Sequence, residues 1–354
     1  MALFEVNEYD RQVYEEELKE FLPEEIIDIH THIWLEKLRQ LNTENLAPRR
    51  TVKWPSLVAR ENPVEDLAET YHLLFPGKKV TPLMFGSGRR EVIAKINNYV
   101  KECAENTGYP ALYFSRPEES AEEVERQIRE GGFLGVKSYL SMAPAYLPTK
   151  EIRIFDFFPK HQLKKLNEMK AIVMLHIPRD GRLKDPVNLG QIKELKQEFP
   201  DVKLIVAHIG RAYVREDVGN AFEELAECKD LLFDFSANCS EYAMTRLLES
   251  VEPERVLFGS DLPILRMRTR RIEENGTYIN LVPPGLYGDP SQDPHLREVS
   301  EEEAKKITFF MYEEILAFKR VAQKLGLTKA EIENIFYGNA KRILDGARRD
   351  IYGA

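Results

Sequence analysis

Residues 26–33 read IIDIHTHI, an apolar run that carries two histidines separated by one threonine. Side chains of an extended strand alternate faces, so His30 and His32 point the same way with Thr31 opposite. Two imidazoles on one face of an apolar strand are awkward in a core and well suited to a divalent cation. The chain has seven histidines, and two more end apolar runs in the same manner: His176 in VMLHI and His208 in IVAHIG. Another run, ERVLFGSD, ends on Asp261. Three neutral imidazoles and a carboxylate around an open position form a site for Zn²⁺, with Mn²⁺ less preferred. A fourth histidine nearby is then available to handle protons.

These residues converge only if the elements bearing them are arranged around a common mouth. Short runs rich in Val, Ile, Leu and Phe recur at 25–30, 79–86, 111–115, 133–140, 171–177, 202–209, 230–237 and 254–261. Charged segments of helical period lie between them, such as 87–106, 120–132 and 186–200. The second opens on a Ser-x-x-Glu capping box at Ser120 and stops at Gly131. Near-continuous apolar strands alternating with amphipathic helices predict parallel strands covered on both faces. Eight such units predict an α/β fold, a closed (β/α)8 TIM barrel, whose active sites lie at the C-terminal ends of strands. The expected organisation is one domain over residues 1–354, with an N-terminal extension (1–24) and C-terminal helices (301–354). Insertions over 33–79 and 262–300 follow the first and eighth strands.

Composition narrows the function classes. A net charge of −9 gives no reason to expect nucleic acid or an anionic membrane as partner. No apolar run approaches the roughly 18 residues that span a bilayer, and the acidic N-terminal stretch does not read as a signal peptide. Cys103, Cys228 and Cys239 are scattered without a CxxC pair. That argues against a disulfide framework and a thiolate metal site, and is expected of a cytoplasmic protein. Self-association into a homo-oligomer is left open.

The HTH at 30–32, His176, His208 and the GSD ending at Asp261 together resemble the amidohydrolase superfamily. Within it, the chain is similar to the branch that holds the aminocarboxymuconate-semialdehyde and γ-resorcylate decarboxylases. The resemblance runs from about residue 26 to GNAKRIL (338–344), similar to that branch's C-terminal helix. It implies a distorted barrel with one divalent metal held by His30, His32, His176 and Asp261, and His208 beside it as proton shuttle or electrophile. A cation there would lower the pKa of bound water toward ~7 and polarise a carbonyl. Asp261 would pass the water proton to a leaving group while His208 stabilises an oxyanion.

The primary expectation is a metal-dependent hydrolase acting at a C–N, lactone or ester bond of a small anionic substrate. A non-oxidative decarboxylase using the same residues is the alternative, and a metal-binding, non-catalytic relative is third. Substrate contact is expected from Lys137 in the fourth strand, ahead of a lysine that reaches the barrel mouth and pairs with a carboxylate; in the branch resembled, a GVK there belongs more often to hydrolase-like sequences with one metal. A carboxylated lysine bridging two metals ranks last. Arg179, Arg211, Arg266 and Arg268 follow the histidine- and aspartate-bearing strands and suit bidentate recognition of a carboxylate or phosphate. Trp34 is expected as an apolar wall. The mixture of Arg, aromatics, Pro and Gly over 262–300 suggests an ordered lid.

Overall fold

The strands form where the apolar runs fall. The computed structural model describes residues 3–40, 50 and 54–353. Its first eight strands are β1 (Glu25–His32), β2 (Lys79–Phe85), β3 (Tyr113–Phe114), β4 (Gly135–Ser138), β5 (Ile172–Leu175), β6 (Lys203–Val206), β7 (Leu232–Asp234) and β8 (Val256–Leu257). β1 pairs with β2, and β3 to β8 pair in chain order, all parallel. A parallel bridge between Met84 and Ala111 joins β2 to the run that begins β3, and one between Thr31 and Leu262 joins β1 to the residues after β8. At that second seam the Ile29 amide donates to the Phe258 carbonyl (3.1 Å) and the His32 amide to the Leu262 carbonyl (2.9 Å). The eight strands therefore form a ring, as their alternation with helices predicts.

Both strand faces are buried, and the side chains sort into two apolar clusters. One contains Ile27, Ile29, Leu83, Phe85, Leu112, Ile172, Met174, Ile205 and Leu257, together with Ala340, Ile343, Leu344 and Ala347 of the helix Asn339–Tyr352. This is the barrel interior, and Asn339 ties the helix to its base by donating to the Pro253 and Val256 carbonyls. The other cluster lies between the strands and the surrounding helices, among them Ile93–Thr107, Ala121–Gly131, Pro186–Glu198 and Phe310–Leu325. Ser120 caps its helix by accepting from the Glu123 amide, and the chain leaves through Gly132 in a left-handed conformation.

A bulge in β1 decides what faces inward. Asp28 pairs with Pro82 but Thr31 with Met84, so β1 carries one extra residue between these pairs. The extra residue flips the side-chain alternation. Ile27 and Ile29 fill the interior below it, and His30 and His32 reach the interior above it.

The stretch after β8 is a small sheet rather than an irregular loop: β9 (Arg270–Glu274), β10 (Thr277–Val282) and β11 (Leu296–Glu298), in the order β11-β10-β9. β9 and β10 form a hairpin across Asn275–Gly276, both at positive φ (51° and 72°), as a type I′ turn requires. In the other expected insertion, the helix Val64–Leu74 and the short turns Glu36–Arg39 and Trp54–Leu57 are described; residues 41–49 and 51–53 lie outside the described residues. No described helix is long and apolar enough to cross a membrane.

Candidate active site

His30, His32, His176, His208 and Asp261 all line one cavity of about 480 Å³ at the C-terminal ends of the strands. That volume lies within the roughly 300–1,000 Å³ usual for small-molecule sites. His30 and His32 come from the end of β1, His176 from the residue after β5, and Asp261 from the segment after β8. Ligating atoms of His30, His32 and Asp261 all lie within 4.8 Å of one another. Asp261 Oδ1 is 3.1 Å from His32 Nε2 and 3.6 Å from His30 Nε2.

Three of the four imidazoles, those of His30, His32 and His208, are oriented through Nδ1. His30 Nδ1 lies 3.0 Å from the Asp234 carboxylate, His32 Nδ1 3.1 Å from the Gly86 carbonyl, and His208 Nδ1 2.9 Å from the Ser236 carbonyl. A donor at Nδ1 leaves the Nε2 lone pair facing the cavity, the arrangement of metal-ligating histidines. Burial holds the rings neutral: His30 is lowered to about 4, His208 is lowered, and His176 is lowered well below its ordinary value. For His176 the nearby Arg211 charge adds to burial. Burial pushes Asp261 up, but its close contact with His32 and the nearness of His208 and His30 outweigh it, keeping the carboxylate below its usual range.

The donor set fits a divalent cation. Two imidazole nitrogens and a carboxylate oxygen are gathered at one point, and His176 adds a buried Nδ1 with no partner among the described residues. Asp234 lies behind them. It accepts from His30 Nδ1, from the His208 amide (2.8 Å) and from the Ser236 hydroxyl (2.5 Å). Its oxygens are thus committed to positioning the rings, although His30, His208 and Asp234 also meet the 4.8 Å spacing.

Backbone strain concentrates here. Asp261 has φ 60°, and His208, Ile209, Gly210 and Arg211 form a left-handed turn with φ of 58°, 50°, 58° and 59°. For non-glycine residues this costs about 1 kcal/mol or more each. The turn brings both His208 and Arg211 to the cavity. Gly210 belongs in it, since a Cβ there would meet Leu183 Cδ1 at 2.6 Å.

The other expected contacts divide. Lys137 is buried in the cavity wall with its Nζ 5.4 Å from the Phe85 ring centre. Burial depresses it to about 8, opposed by Asp261 and Asp234 acting through space. Arg211 lines the cavity and donates to the Ile177, Pro178 and Arg179 carbonyls. Trp34 lines it too, with Arg39 stacked 3.8 Å above its ring.

Arg179, Arg266 and Arg268 lie elsewhere. Arg179 pairs with Asp185 (3.1 Å), the N-cap of the helix Pro186–Glu198. Arg266 is turned into the protein, donating to the Asn62 side chain. Arg268 pairs with buried Asp10 of the N-terminal segment (2.5 Å) and donates to the Glu5 carbonyl. None of the three lines the cavity, and each meets a protein acceptor instead.

Arg271 and Tyr278, which belong to the stretch expected as a lid, line the cavity, whereas Arg182, Tyr213 and His295, and Asp234 behind the histidines, were not singled out in the sequence. Asp234 carries a legible signal, because DFS places an acid and a serine on one face of an apolar strand, as HTH places two histidines. The others sit on loops and the inserted sheet, where no period exists to read.

Residues 27–346 match the family model described as "Amidohydrolase". No curated protein matches the chain. The fold is shared with 2,6-dihydroxybenzoate decarboxylase from Rhizobium, which is 13% identical with a TM-score of 0.54, covering 91% of this chain and 99% of that one. A dihydroxybenzoic acid decarboxylase from Polaromonas sp. JS666, solved with manganese and 2-nitroresorcinol, is 15% identical with a TM-score of 0.52, covering 93% and 100%. Amidohydrolase 2 from Bifidobacterium longum subsp. infantis is 16% identical with a TM-score of 0.50, covering 91% and 99%. With the matched segment running from the first strand to the helix that closes the barrel base, this chain belongs to the amidohydrolase family.

Proposed function

We propose that this enzyme is a divalent-metal-dependent hydrolase that adds water to a C–N, lactone or ester bond of a small carboxylate-bearing substrate. One observation carries the reading: Arg211 and Lys137, neither paired with a carboxylate among the described residues, share a cavity with the His30–His32–Asp261 cluster. His30, His32 and Asp261 would hold the ion, with His176 as fourth donor. Mixed imidazole and carboxylate ligation favours zinc, and manganese is the alternative. Such an ion supplies Lewis-acid polarisation of a carbonyl and makes water more acidic.

The chain's own groups supply the rest. Arg211 and Lys137 bind and orient the substrate carboxylate. Asp261, held anionic, takes a proton from the attacking water and returns it to the leaving group. His208, fixed by the Ser236 carbonyl, presents a neutral Nε2 to the reacting atoms. The inward-facing aromatic residues limit access of bulk water.

Decarboxylation is the second reading, favoured by the aromatic lining (Trp34, Tyr139, Tyr213, Tyr278) and by two structural relatives that are decarboxylases. There His208 or Asp261 would deliver a proton to the carbon that loses CO₂. The test is metal analysis of the purified protein, followed by lactones, amides and aromatic acids with products read by mass. About one equivalent of metal is expected for one such donor set, and hydrolysis appears as gain of one water. Loss of CO₂ selects the second reading, and turnover unaffected by complete metal removal overturns both.

A further inference from the structure

The wall of the cavity contributed by the inserted sheet gathers positive charge. Arg182 and Arg271 lie over the same two rings: their guanidinium carbons are 5.3 and 5.2 Å from the Tyr213 centre, and 5.5 and 4.3 Å from the Tyr278 centre. Tyr213 and Tyr278 meet edge to face at 5.3 Å, and Tyr278 stacks on His295 at 4.2 Å. All five residues line the cavity.

Two guanidinium groups on one aromatic pair repel each other, and ring faces offset only part of that cost. Arg182 has a counter-charge in Asp217 (2.6 Å). Arg271 has none among the described residues. Its Nε donates to Asn280 Oδ1 (2.9 Å) and its Nη1 to the Ala237 carbonyl (2.7 Å), both neutral acceptors. These bonds fix the guanidinium and leave Nη2 without a partner among the described residues. The Tyr213 ring also lies 6.4 Å from the His208 ring, so the arginine pair is separated from the His/Asp cluster by about one aromatic ring.

We infer that Arg271, with Arg182, is the specificity-determining receptor for a second oxyanion, and that the substrate is a planar dianion with one anionic group at Arg211 and Lys137 and the other, a carboxylate or phosphate, at Arg271. The inference rests on the proposed function, which requires only the first group. A fixed guanidinium with a free N–H edge forms strong charge-assisted hydrogen bonds to either oxyanion. The sheet that carries Arg271 thereby selects substrates by their far end.

The test uses metal-loaded protein and calorimetric binding of benzoate, isophthalate, terephthalate and para-phosphonobenzoate. The better dicarboxylate, or the phosphonate, should bind at least ~10-fold tighter than benzoate, the scale of one added charge-assisted contact. The winning probe distinguishes a carboxylate from a phosphate end. Arg271→Gln should bring that ratio to about 1, and Arg271→Lys, which keeps the charge without the fork, should give an intermediate ratio. A wild-type ratio near 1, or a ratio unchanged in either folded variant, overturns the inference. Metal-dependent benzoate binding without a dianion advantage removes only this inference, whereas binding of no probe to the metal-loaded protein removes the proposed function with it.

Discussion

The main-chain amide of Asp261 donates to the carbonyl of His30 at 2.8 Å, and their side chains approach to 3.6 Å on the same seam. One hydrogen bond of strand pairing thus sets the spacing of two candidate ligands, one from the first strand and one from the segment after the eighth. The carboxylate is delivered by barrel closure, and the strained φ of Asp261 turns it inward.

Asp234 holds His30 and the His208 turn at once, so its removal should be felt at the metal. Asp234→Asn should lower metal affinity by ~10- to 100-fold, as for other residues that orient metal-binding histidines. Competition with a chelator measures it, with circular dichroism as a control on folding. Unaltered affinity would assign Asp234 to stability alone.

His208→Asn should keep metal content and lose ~10²-fold or more in kcat, as expected for a proton-transfer or oxyanion partner. Elemental analysis beside steady-state kinetics separates the roles. If the metal leaves with the imidazole, His208 is a ligand.

Arg268 should act on stability and not on substrate binding. Asp10 is fully buried and also accepts from the Thr308 hydroxyl (2.7 Å), so Arg268→Ala leaves a buried carboxylate without its charge partner. The expected cost is about 3 kcal/mol of stability, with KM little changed. A large rise in KM at unchanged melting temperature would return Arg268 to the substrate.

Much of this was legible in advance and some was not. The eight apolar runs marked the eight strands, because parallel strands buried on both faces leave no other pattern. The HTH spacing showed that His30 and His32 share a face. That the face is the interior depends on the bulge between Asp28 and Thr31, a backbone event without a composition signal. Asn275–Gly276 between β-branched and charged residues was a readable hairpin signal within a stretch expected to be a lid. The partners of the arginines were not legible for a physical reason: sequence proximity to a strand end says where a loop starts, not which acceptor it meets. In the fold Arg268, Arg266 and Arg179 meet Asp10, Asn62 and Asp185.

Glu314 gives a pH-dependent expectation. It is buried in the helix Phe310–Leu325, accepts from the Asn238 amide (3.2 Å), and has an Oε1 with no partner among the described residues. Burial pushes its carboxyl well above the ordinary value. The folded state therefore holds a proton that the unfolded chain releases, so stability falls as pH rises from the unfolded pKa toward the folded one. Glu314→Gln removes that loss. Its melting temperature relative to wild type should be higher at pH 8 than at pH 5, and an equal difference at both would count against the burial argument.

The seam at which Asp261 meets His30 is also the last part of the ring to be synthesised. Chains emerge from the ribosome N-terminus first, so both β1 histidines leave the exit tunnel long before the carboxylate that completes their cluster. Until the segment after β8 reaches β1, the nascent barrel is an open sheet with unpaired edges and its interior apolar face exposed. Chains stalled before Asp261 should engage chaperones and retain no metal. Release of the remaining segment lets ring closure and the full donor set arrive in one step, making metal retention a reporter of completed synthesis.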